Sequence, residues 1–108
     1  IHTYPEITNS AEILPGVYWS GSFDEICQGI TEGKFLAENF KFLVGYSGWA
    51  PGQLDAELKE KTWLVSQLSA EVIFDSSIAD TDLWKHAIRS VGGKDALLAN
   101  SPEDPFLN

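Results

Sequence analysis

Residues 40–58 constrain the fold of this chain more than any other stretch. An apolar run, Phe40-Lys41-Phe42-Leu43-Val44-Gly45-Tyr46, passes through Ser47-Gly48-Trp49-Ala50-Pro51-Gly52 into Gln53-Leu54-Asp55-Ala56-Glu57-Leu58. The run has strand composition and is apolar on both faces towards its end, which suits a central strand. Pro51 fits the first turn of a following helix, where a missing N–H costs nothing. Leu54 and Leu58 give that helix a narrow buried stripe, and Asp55/Lys59 and Glu57/Lys61 have the spacing of solvent-side ion pairs. The whole reads as strand, tight corner, helix.

Other elements follow from local signals. Val17-Tyr18-Trp19-Ser20 reads as a short strand, and the first fifteen residues read as irregular. Ser22, with Glu25 three residues on, is a capping box that opens a helix. Phe23, Ile26, Cys27 and Ile30 form its apolar stripe, and Gly33 is its stop. Trp63-Leu64-Val65-Ser66 and Val72-Ile73-Phe74 read as two more strands. A third helix is expected from Asp80 or Thr81, with Leu83, Trp84, Ala87, Ile88 and Val91 on its core face and Gly92-Gly93 at its end. Pro102 and Pro105 keep the tail extended. Helices following short strands point to an α+β or α/β class.

Three stretches carry a family resemblance: Gly16-Val17-Tyr18-Trp19-Ser20-Gly21, residues 42–58 and Asp104-Pro105-Phe106-Leu107-Asn108. Through them the chain resembles the AlgH/YqgE family of bacterial proteins. The resemblance implies an α+β fold with a split, barrel-like β-sheet and three flanking helices. It also implies that residues 1–108 are a single domain matching the C-terminal half of a chain about twice as long. The first residue is not Met, so a fragment or processed form is expected. The family has no agreed catalytic residues to carry over. Its namesake bears the label of a transcriptional regulator.

Composition narrows the partners. Sixteen acidic against seven basic residues give a net charge of −9, which repels phosphate backbones and anionic lipid in the mean field. The one basic cluster, Lys85, Arg89 and Lys94 with His86, is sparse beside the footprint of DNA binders, so direct nucleic-acid binding is not expected. No run reaches the ~18 apolar residues of a membrane span, and the first residues, Ile1-His2-Thr3-Tyr4-Pro5-Glu6, have neither the basic start nor the apolar stretch of a signal peptide. Cys27 is the lone cysteine; it suits a reducing cytoplasm and reads as core packing. No histidine pair has ligand spacing, so neither a metal nor a cofactor is expected.

Two readings of the corner compete. As a binding site it would use Gly45, Ser47, Gly48, Trp49, Gly52, Gln53 and Glu57, the last two one turn apart on the same helix. As plain structure it is a tight strand-to-helix turn with Trp49 packed beneath it. Gly45-Tyr46-Ser47-Gly48-Trp49 also nears the nucleophile elbow G-x-S-x-G, with Asp75 and His86 in hydrolase order. Trp49 stands where the elbow needs its second glycine, and His86 lies on a solvated helix face. The leading expectation is a cytoplasmic, non-catalytic binding or regulatory module with a protein or small-molecule partner, any role in transcription being indirect. The alternative is an enzyme, a hydrolase using Ser47 or an acid–base catalyst using Glu57 or Asp55.

Overall fold

The computed structural model describes residues 1–93 and Asn100 of the 108-residue chain. Its residues gather into two compact units. One comprises Ile1–Val44 with Ser69–Ser77; the other comprises Gly45–Leu68 with the chain from Ile78 on.

The first unit is built on a hairpin. Strand β1, Ser10–Leu14, pairs antiparallel with β2, Val17–Ser20, in the register Ser10↔Ser20 and Glu12↔Tyr18. An irregularity between Glu12 and Leu14 shifts the pairing to Leu14↔Val17. Pro15 followed by Gly16, φ +75°, is the residue order that a type II turn demands. Gly16 donates its N–H to Glu12 Oε1 at 3.0 Å, tying the turn to the strand. The first fifteen residues are therefore not irregular throughout, because pairing with β2 orders residues 10–14.

Helix α1, Phe23–Thr31, follows. Ser22 Oγ accepts from Glu25 N at 3.4 Å, but Glu25 reaches away to Thr8 N at 3.0 Å, so the capping box closes on one side only. At the far end Gly33, φ +74°, donates to Ile30 O and Lys34 donates to Gly29 O. This is a Schellman stop, and it folds the chain back so that Phe35 lies on Gly29. The core forms there: Ile7, Ile26, Phe35 and Phe40 are buried, with Tyr4 and Ile30 packed against them. Tyr4 sits 4.6 Å from the Phe35 ring, and its hydroxyl accepts from Leu36 N and Asn39 Nδ2. Phe23 and Cys27 are exposed, so the stripe facing the core is Ile26, Gly29 and Ile30. Cys27 is not core packing.

A short 3-10 turn, Ala37–Asn39, leads to Phe40. Where a strand Val72-Ile73-Phe74 was expected, the chain makes a helical turn, α3, Ala70–Ile73. Ser69 caps it, accepting from Val72 N at 3.4 Å; a cap followed by Ala and Glu outweighs the β-propensity of two residues.

In the second unit, helix α2 runs Gln53–Lys59 and helix α4 runs Asp80–Val91. Gly92, φ +76°, ends α4 as the sequence foretold. Segment 63–66, expected as a strand, pairs with no strand among the described residues, and Ser66 Oγ is bonded to Ser90 Oγ of α4 at 2.7 Å.

The split, barrel-like sheet with three flanking helices is thus not formed. Among the described residues there is one two-stranded antiparallel sheet with four α-helices, a mixed α/β arrangement. The physical reason is a lack of partners. Residues 42–44 keep strand composition, yet Phe42 and Leu43 are 61% and 69% exposed and Val44 is wholly exposed. A strand needs a neighbour to take its backbone groups; Phe40 and Lys41 pair with His2 and Ile1, but residues 42–44 have no such neighbour among the described residues.

Candidate functional site

The glycine corner is a turn with a defined geometry. Gln53 N donates to Ala50 O at 3.0 Å, with Pro51 and Gly52 as the central residues. Gly52, at φ +78° and ψ −7°, has the second-position conformation of a type II turn, which only glycine adopts without strain. Pro51 therefore lies in the turn ahead of α2 rather than inside the helix. Gln53 reinforces the corner by accepting the N–H of Ala50 on its Oε1 at 3.0 Å.

One turn along α2, Glu57 collects three donors. Its Oε1 accepts from Gln53 Nε2 at 2.8 Å, and its Oε2 accepts from the indole N–H of Trp63 at 2.6 Å and that of Trp49 at 3.3 Å. The two indoles meet edge to face, centroids 5.8 Å apart. These bonds stabilise the ionised form. The Trp63 N–H first, then the Gln53 amide, hold the Glu57 carboxyl below the usual glutamate range; desolvation opposes them, and the longer Trp49 bond adds least. Glu57 is committed to the indoles rather than to Lys61.

Trp63 reaches Glu57 because of how α2 ends. Lys61 adopts φ +58°, its N–H bonding to Leu58 O and that of Thr62 to Glu57 O. This second Schellman stop, with lysine in the left-handed position, reverses the chain and carries Trp63 back along the helix. Sequence reasoning missed Trp63 for that reason, since the usual glycine signal is absent. Beside the clasp lies an open groove of about 390 Å³, lined by Trp49, Leu54, Leu58, Trp63, Leu64 and Val65 with Ser66.

Of the residues expected at the site, Trp49, Gln53 and Glu57 come together, and Gly52 shapes the turn that presents them. Gly45, Ser47 and Gly48 take part in none of the clasp's hydrogen bonds. Ser47 makes no hydrogen bond among the described residues, so no base is joined to it. Asp75 Oδ1 is taken by the N–H and Oγ of Ser77. His86 is exposed on α4. In the basic cluster, Lys85 is paired with Asp82 at 2.7 Å, while Lys94 lies outside the described residues. Among the described residues no group of three His, Cys, Asp or Glu side chains could hold a metal. No helix there is long and apolar enough to cross a membrane.

Comparison with known proteins places this architecture in a family. The AlgH-like family matches residues 1–96, and the chain belongs to it. A UPF0301 protein of Pelodictyon phaeoclathratiforme is 40% identical over 102 residues, covering 94% of this chain and 54% of the relative. One from Chlorobium chlorochromatii is also 40% identical, covering 94% of this chain and 53% of its own length. One from Chlorobaculum tepidum is 35% identical over 109 residues, covering all of this chain and 57% of the relative. The chain thus spans about half the length of these relatives, whose name states no activity. No solved structure matches it.

Proposed function

We propose that the chain is a non-catalytic, cytoplasmic binding or regulatory module whose ligand contacts the Trp49–Trp63 side of α2. The observation that carries this reading is a carboxylate held by two half-exposed indoles at the rim of an apolar groove. Concave apolar surface with a few fixed polar groups is the usual form of a ligand site. Rigid indoles offer large contact area with little side-chain entropy to lose. The ligand is a protein segment or small molecule presenting an apolar side chain.

Chemistry at the site favours binding over catalysis. A general base works best with a pKa near the working pH, and Glu57 is displaced in the other direction. All three of its bonds hold neighbouring side chains in place. The pairing of Lys85 with Asp82 weakens an already sparse basic face, so regulation would run through a bound partner rather than through contact with DNA.

The test is a thermal-shift screen of the whole protein against nucleotides, phosphosugars, apolar peptides and oligonucleotides. Ligand at 100 times its Kd adds about 2.7 kcal/mol, a shift of several degrees for a small domain. A hit among apolar peptides or small apolar molecules, lost in Trp63→Ala, supports the reading. Turnover of any bound ligand by the wild type, abolished in Ser47→Ala or Glu57→Gln, would replace it with the enzyme alternative.

A further inference from the structure

We propose that Phe42, Leu43 and Val44 form the landing edge for a strand lying immediately before Ile1 in the longer polypeptide. The strand runs antiparallel to that edge, in a register where paired residue numbers sum to 42.

Pairing already present sets the register. His2 exchanges backbone bonds with Tyr18, His2 N to Tyr18 O at 3.0 Å and Tyr18 N to His2 O at 2.8 Å. On its other side, Ile1 N donates to Lys41 O at 2.8 Å and Lys41 N to Ile1 O at 2.9 Å, while His2 bridges Phe40 antiparallel. Ile1 and His2 are thus a two-residue strand between β2 and the Phe40 run. Continued backwards, the same ladder places the residue just before Ile1 opposite Phe42, the next opposite Leu43 and the third opposite Val44.

Space and surface agree with this course. A cleft of about 210 Å³ is lined by Ile1 together with Trp19, Phe23, Phe42 and Leu43. The latter four side chains are more than half exposed. Phe42 stacks on the buried Phe40, rings 8° from parallel and 5.8 Å apart, so alternate residues already share a face as in a strand. No backbone group of residues 42–44 is hydrogen-bonded among the described residues, which leaves an unpaired apolar edge open to another strand. The relatives are nearly twice as long, and the proposed strand belongs to the part of them that this chain does not cover.

Hydrogen exchange by NMR on the longer polypeptide tests the register residue by residue. Ile1 and Lys41 exchange both bonds, so the next doubly bonded position is Leu43, whose N–H points at the incoming strand. The N–H groups of Phe42 and Val44 point to the opposite side. The Leu43 amide is expected to exchange about a hundredfold more slowly than those of Phe42 and Val44. In a Cys27→Ser background, Phe42→Cys with cysteine at the residue just before Ile1 should close an intramolecular disulfide. Cysteine one position further upstream should not, because its side chain lies on the other face. Fast exchange at Leu43, or protection of Phe42 and Val44 in its place, overturns the proposal. So does a disulfide found only between molecules, which would make the occupant a second copy.

Discussion

Glu57 Oε2 accepts the indole N–H of Trp63 at 2.6 Å across the reversal that ends α2, so one carboxylate fixes both the helix end and the returning chain. Trp49 shares that oxygen from the helix entrance at 3.3 Å. The polar bonds, rather than a buried core, hold the two indoles here, for α2 itself buries no residue.

The clasp should respond to acid. The folded-state pKa of Glu57 lies below its ordinary value of 4.5, so its contribution is fully present above pH 4.5. It is lost as pH falls through the lower, folded value, where protonation removes an acceptor from the indoles. Tryptophan emission and the Trp63 indole proton resonance should therefore titrate together, with a midpoint below that of free glutamate. Glu57→Gln should abolish that transition. A midpoint at or above 4.5 would mean that the indole bonds do not form in solution.

Lys61 stores backbone strain that a single substitution can relieve. A left-handed conformation costs a non-glycine residue roughly 1–2 kcal/mol, partly offset by the greater flexibility of glycine in the unfolded chain. Lys61→Gly should stabilise the protein by about 0.5–1 kcal/mol, read as a higher urea midpoint at unchanged slope. Lys61→Val should destabilise it and disturb Trp63 emission. Equal midpoints for the lysine and glycine forms would show that the reversal is not held at this residue.

The contrast between Lys61 and Gly33 shows what could be read from sequence. Both end a helix through the same pair of bonds, but only Gly33 announces itself, so α1 was bounded and the return of Trp63 was not. Ser22 and Gly92 marked helix ends for the same local reason. Ser10-Ala11-Glu12-Ile13-Leu14 lacks strand alternation and becomes β1 only through its pairing with β2, a non-local cause. Residues 42–44 and 63–66 have the composition of strands but pair with none among the described residues, and no sequence pattern reports whether a neighbour is present. At the clasp, the spacing of Gln53 and Glu57 was legible. Gly45, Ser47 and Gly48 are near Trp49 and Gln53 in sequence only, and the turn at Pro51-Gly52 leaves them outside the clasp's hydrogen bonds.

Gly29 is where α1 meets the core most closely. A Cβ there would collide with Cδ2 and Cε2 of the buried Phe35 ring. Gly29→Ala gains about 1 kcal/mol of helix propensity, but overpacking of this kind costs about 1–3 kcal/mol, so net destabilisation is expected. Phe35→Leu in the same chain should absorb part of that loss, giving a double mutant less destabilised than the sum of the two. Urea melts of the four forms measure the coupling, and strict additivity would mean that the two residues do not press on each other.

His2 is the buried polar residue on which the first unit closes, 2% exposed, its ring stacked on Tyr18 and tilted against Phe40. Its Nδ1 accepts from Tyr4 N at 3.2 Å, so the ring proton sits on Nε2 and is donated to Ser20 O at 2.8 Å. That tautomer joins the start of the chain to the end of β2, where Ser20 is held at φ +65°. His2→Phe keeps the ring and its stacking while leaving one buried donor and one acceptor unmet, a cost of about 1–3 kcal/mol. The expected result is a lower urea midpoint together with faster exchange of the Tyr4 amide. A neutral effect on both would show that stacking alone places the ring, and that its two nitrogens contribute nothing to the closure.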